Sequence, residues 1–149
     1  MALSVRLAGH PVHPMLVHFP IVLWTGAVAT DVSGWLSGYA EWWTLSFGCL
    51  ALGNVIALAA MLAGFLDYAS IPRPHPARDV AVSHMLAMST AWLIFLVSLA
   101  LRGFPPKAPG SLWVSAVAVG GWCVMAFGGW LGGQLVYRFG VGVNERRLA

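Results

Sequence analysis

The chemistry available to this chain is concentrated in its histidines. Three of the five, His10, His13 and His18, fall with three of the nine prolines between Gly9 and Pro20, immediately before a long apolar run. Imidazole binds metals and exchanges protons near neutral pH, and an ionisable group at the mouth of an apolar helix is costly to keep without a task. His84, well inside another apolar run, and Asp67, near the end of a third, are the remaining groups that could join such a site. Gln134 and Tyr137 close the last run and are candidates for contact with a bound group.

Three chemistries suit these residues. Two neutral imidazoles facing each other across a helical bundle can take both axial positions of a haem iron, and His18 with His84 is the pair this reading expects. Asp67, Tyr137 and Gln134 would then surround the haem b, and Arg73, Arg78 or Arg138 would meet its propionates. The second chemistry is a smaller metal site for iron, zinc or copper, formed by His18, His84 and Asp67 with His10 or His13 as further ligands. The third is a proton relay through His18, Asp67 and His84. Against all three stands simple structural pairing. His10, His13 and His75 sit beside prolines, where solvent-facing or hydrogen-bonded turn histidines are expected. His18 and His84 lie within apolar segments, where an unpaired polar group costs several kcal/mol.

The elements that must position these groups are membrane helices. Of 149 residues, 59% are hydrophobic and only 9% charged, far from the roughly 25% charged of a soluble domain. Apolar runs long enough to cross a bilayer recur along nearly the whole chain, which reads as one membrane domain over residues 1–149. The expected architecture is an all-α, up-and-down four-helix bundle with helices at about 14–36, 43–68, 79–101 and 111–137. Pro20 should kink the first helix or open a turn near His18. Trp42 and Trp43 fit an interfacial belt, Asp31 should lie near the interface or cap a neighbour, and Asp79 is an acceptable cap for the third helix. Gly128 with Gly132, and Gly129 with Gly133, have the spacing that lets helices approach closely.

Four crossings bring both termini to one face, and that face collects Arg6, Arg73, Arg78, Arg138, Arg146 and Arg147. The other has Arg102 and Lys107. The positive-inside rule then places both termini in the cytoplasm, with a bacterial plasma membrane the simplest setting. The net charge of +3 is scattered over segment ends, which argues against nucleic acid as a partner. The expected partners are the lipid bilayer, a redox protein or quinone, and further copies or subunits of a membrane complex. Cys49 and Cys123 sit at different depths and are not expected to pair. No nucleophile–base pair or phosphate loop supports a hydrolase or a nucleotide-dependent enzyme.

Four separated motifs carry a family resemblance. They are Gly-His-Pro-Val-His-Pro-Met-Leu-Val-His-Phe-Pro at 9–20, Gly-Phe-Leu-Asp-Tyr at 64–68, His84-Met85, and Gly-Trp-Leu-Gly-Gly-Gln-Leu-Val-Tyr-Arg-Phe-Gly-Val-Gly-Val at 129–143. In this order they resemble the family called domain of unknown function 2231, over nearly the entire chain. The resemblance implies a membrane setting. Relatives joined to Rieske or cytochrome c-like domains imply redox chemistry with a separate electron partner. The family motifs cover His10, His13, His18, Asp67, His84, Gln134 and Tyr137 without assigning a ligand among them. An accessory subunit that packs through its glycine-rich fourth helix and holds no cofactor is the reading of a different class.

Overall fold

Each of the four apolar runs becomes one long helix. The computed structural model describes residues 6–104 and 112–143. The helices are α1 (Val12–Ser37), α2 (Ala40–Ala69), α3 (Ala77–Leu101) and α4 (Leu112–Tyr137), all long and apolar enough to cross a membrane. A two-residue antiparallel ladder, β1 (Arg6–Leu7) with β2 (His10–Pro11), precedes them. The proline-rich turn at 105–111, with Lys107, and the basic tail carrying Arg146 and Arg147 lie outside the described residues.

The helices form two hairpins, α1–α2 and α3–α4, which pack more extensively within themselves than against each other. In this up-and-down bundle α1 and α3 stand diagonally opposite, and the start of α1, end of α2, start of α3 and end of α4 share one end. Gly38, at φ 75°, ends α1, and its N–H bonds to the carbonyl of Gly34. A left-handed residue at this position is what glycine accommodates without a Cβ clash.

α1 begins two residues earlier than the sequence suggests, at Val12, so His13 is helical although it precedes Pro14. It also runs through Pro20 without a break, with that ring buried. The buried positions Pro20, Trp24, Ala27, Asp31 and Gly34 recur every three or four residues and form the inward stripe of α1. In the centre Trp24 stacks on Phe95 at 4.5 Å, enclosed by Ala27, Leu50, Ala57, Ala91, Ala118 and Met125. Indole N–H groups tie the hairpins together. Trp92 donates to the carbonyl of Asn54, Trp122 to Thr25 Oγ1 and Trp35 to Ser115 Oγ. Trp43 is buried and not a surface belt residue, because the missing side chain of Gly34 admits its ring edge-on to Trp35.

Asp31 is likewise buried among the helices. It forms a two-point ion pair with Arg102, Oδ1 to one terminal nitrogen at 2.8 Å and Oδ2 to the other at 2.6 Å, with side chains 3% and 4% exposed. Ser46 and Ser98 accept further guanidinium bonds and pass their own protons to the carbonyls of Ala27 and Val114. Paired this way, both charges survive burial between α1 and α3 at the end of the bundle away from the histidines. Nor does Asp79 cap α3. Pro76 occupies the cap, and His75 Nδ1 accepts the N–H of Ala77.

Candidate functional site

The histidine that meets His84 is His13. Their rings stand edge to face, 6.4 Å between centroids, across the diagonal from α1 to α3. His18 lies five residues beyond His13, which is about 140° around a helix of 3.6 residues per turn. It is therefore turned off the inward stripe and is exposed on the outside of α1. The early start of α1 brings His13 onto the stripe shared with Pro20 and Trp24.

Each histidine is held by the other helix of its own hairpin. His13 Nδ1 lies 2.7 Å from the carbonyl oxygen of Ala60 on α2, and His84 Nδ1 lies 2.8 Å from that of Gly128 on α4. A carbonyl only accepts, so Nδ1 carries a proton in both rings, and in the neutral form of each ring the lone pair is on Nε2. Glycine makes the room. A Cβ on Gly64 would stand 2.9 Å from the His13 ring, and one on Gly132 would stand 3.1 Å from the His84 ring. The spacing of Gly128 and Gly132 therefore serves to admit the Met88 and His84 side chains of α3. Gly129 has open space at its Cβ position, and Gly133 meets only the edge of Tyr137 in ordinary contact.

These contacts belong to an internal repeat. His13 and His84 are 71 residues apart, as are Trp24 and Phe95, and Asp31 and Arg102, and each of these pairs meets across the bundle. On the companion helices Gly53 and Gly121 receive Trp24 and Phe95, while Ala60 and Gly128 hold the histidines and Gly64 and Gly132 clear space for them. Members of each couple are 68 residues apart. The second hairpin thus repeats the first about an approximate twofold axis along the bundle, and His13 and His84 are equivalent positions on it. This repeat is the signal in the sequence that points to His13, and looking for a histidine on an apolar face missed it.

The other candidate residues are dispersed. Asp67 follows Gly64 by three residues on the same face of α2, half-buried, with Oδ1 fully enclosed and without a hydrogen-bond partner. Gln134 is half-buried, Tyr137 is 91% exposed, and His10 is exposed on β2. His75 belongs to the α2–α3 turn, where it packs on Phe139. Among the described residues no three His, Cys, Asp or Glu side chains gather as a metal-binding group, so His18, Asp67 and His84 do not form the expected cluster. Cys49 and Cys123 are unpaired thiols.

No curated protein and no solved structure matches the chain. A family profile described as a predicted membrane protein matches residues 9–145, which takes in both histidines, both hairpins and the ion pair. The chain belongs to that family, DUF2231, and is a membrane protein of four apolar helices.

Proposed function

We propose that the histidine layer binds haem b, with His13 and His84 as the axial ligands, and that the protein is a small b-type cytochrome of the membrane. The observation that carries this reading is the pair itself: two imidazoles on equivalent positions of a repeat, each with Nδ1 bonded to a main-chain carbonyl and Nε2 free. This is the tautomer and the outer hydrogen bond that metal-bound histidine uses. Nε2 lies across the ring from Nδ1, so it faces away from α2 in His13 and away from α4 in His84. The 6.4 Å between centroids is close to the spacing of about 6 Å that bonds of about 2.0 Å would give two imidazoles holding one metal.

A bare ion would have only two protein ligands here, whereas a macrocycle supplies four nitrogens of its own. That difference favours haem over the iron, zinc or copper ion expected from a three-ligand set. Once bound, haem supplies reversible one-electron exchange. The protein's share is to fix both rings through Ala60 and Gly128 and to keep Gly64 and Gly132 clear beside them. In this reading the layer lies near the cytoplasmic side of a bacterial plasma membrane, which the positive-inside pattern supports, and a redox protein or quinone is its electron partner.

The test is a reduced-minus-oxidised visible spectrum of protein purified from cells supplied with haem. A low-spin spectrum lost in both His13→Ala and His84→Ala, and kept in His18→Ala, is the expected result. A low-spin spectrum that survives His13→Ala, or the absence of Soret absorption from wild type, would overturn the proposal. One observation favours a second reading, proton binding by the same layer. The Oδ1 of Asp67 is enclosed and has no hydrogen-bond partner among the described residues, which leaves an acceptor open to a donor. Under that reading Asp67→Asn removes a proton-uptake step seen by infrared difference spectroscopy, and the protein is colourless.

A further inference from the structure

We propose that the α2–α3 turn holds the phosphate of an anionic phospholipid. Two adjoining grooves of about 480 and 670 Å³ share Tyr68, Arg73 and Arg78 as walls. Phe65 lines the first groove and Val82 the second, and both side chains are exposed on the outer faces of α2 and α3. The site therefore joins a basic floor at the helix ends to apolar walls that continue into the membrane-spanning region. This is the chemistry of a charged head with acyl chains, and basic pockets between helix ends are suited to such lipids.

Arg78 is prepared for the role. One terminal nitrogen donates to the carbonyl of Ile71 at 2.6 Å, and its guanidinium lies 4.3 Å from the Tyr68 ring centre, which fixes its plane and leaves the other donors to the groove. Among the described residues neither Arg73 nor Arg78 has a carboxylate within ion-pair distance. Asp79, on the rim of the larger groove, is exposed and forms no ion pair with either. A planar guanidinium with free donors meets phosphate oxygens in two-point fashion, which a hydrated ammonium does not. His75 lines the larger groove, but its Nδ1 is committed to Ala77.

The experiment is thermal unfolding of the full chain in neutral detergent, read by tryptophan fluorescence, with phosphatidylglycerol, phosphatidylcholine or inorganic phosphate added. Phosphatidylglycerol should raise the midpoint by roughly 5 °C near saturation. Phosphatidylcholine and inorganic phosphate should leave it within a degree. In Arg73→Gln/Arg78→Gln the lipid should bind about 25-fold more weakly, since each arginine near an anionic headgroup contributes about fivefold. Arg138→Gln, at the same end but outside the grooves, should respond as wild type. Equal stabilisation by phosphatidylcholine, equal stabilisation by phosphate, an unchanged response in the double variant, or equal losses in Arg138→Gln would each overturn the proposal. If the double variant is too unstable to unfold cleanly, retention of phosphatidylglycerol by wild type in native mass spectrometry, against its loss from Arg78→Gln, decides the matter.

Discussion

Removing either member of the Asp31–Arg102 pair should damage the protein far more than removing both. Arg102→Met leaves a carboxylate that is 97% buried with no cation, and Asp31→Leu leaves a guanidinium beside two serine hydroxyls. Breaking a buried pair from one side costs about 3–5 kcal/mol, because the surviving charge keeps its burial penalty and loses its partner. The upper half of that range applies here, since both bonds of the two-point pair are short and no other carboxylate is recorded as an ion-pair partner for Arg102 among the described residues. For a chain of this length the shift is roughly 8–20 °C in unfolding midpoint, at about 2–4 °C per kcal/mol. The double variant Asp31→Leu/Arg102→Met removes both charges and puts apolar groups of similar volume in the gap. It should recover to within about 2 kcal/mol of wild type. The assay is detergent unfolding of all four proteins followed by tryptophan fluorescence. Single-variant losses that add to the double-variant loss within about 0.5 kcal/mol would refute the reasoning, because independent sites behave that way.

The glycines give a paired contrast. Gly64→Ala forces a Cβ to within 2.9 Å of the His13 ring and should cost stability and displace the imidazole from the Ala60 carbonyl, seen as a loss of any histidine-dependent spectrum. Gly129→Ala meets open space and should be neutral or stabilising by up to about 1 kcal/mol in the same unfolding assay. Gly53→Ala presses on Trp24 at 2.9 Å against a ring already stacked on Phe95, so unfolding and tryptophan emission should both shift. Trp24→Ala opens the same layer outright and should cost about 3–5 kcal/mol, read as a fall in unfolding midpoint. Gly132→Leu cannot be accommodated beside His84, and unchanged unfolding and spectra in that variant would count against the packing described for α4.

The helices were legible because length and apolarity alone specify a membrane span, and each observed helix begins or ends within three residues of its expected bounds. Which way a side chain faces was less legible. All four helices are apolar around most of their circumference, so no polar face marks the outside, and His13 and His18 look alike until the helix start is known. The two-residue advance of that start, past a proline that normally disfavours helix in the residue before it, carries His13 onto the inward stripe. Asp31 and Arg102 were hidden for another reason. A charge near the end of a membrane helix is ordinarily explained by the interface, and only the fold reveals that the two end positions meet. The glycine spacing in α4 was visible, but its purpose depends on the side chains opposite.

The repeat explains why the two ends of the bundle carry different chemistry. Residues close to a twofold axis meet their own equivalents, so a chain made of two matching halves confronts its innermost side chains with their counterparts. Identical aspartates or identical arginines at the Asp31 and Arg102 positions would repel within a dry interior, and the two halves hold opposite charges there. At the Trp24 and Phe95 positions both halves need only bulk, and two different aromatic rings stack. Of the three pairs that meet across the bundle, only the histidines are the same residue in both halves, each with a main-chain carbonyl and a glycine at equivalent positions beside it. Two neutral imidazoles gain little from each other edge to face at 6.4 Å, so mutual attraction does not account for that identity. A group held by both imidazoles, as proposed above, would account for it. If the pair holds the proposed haem, replacing His13 alone by glutamine, which keeps a hydrogen-bonding group near Ala60 and removes the second imidazole, should leave stability within about 1 kcal/mol of wild type and abolish the low-spin spectrum. A large loss of stability without any spectral change would assign the pair to structure instead.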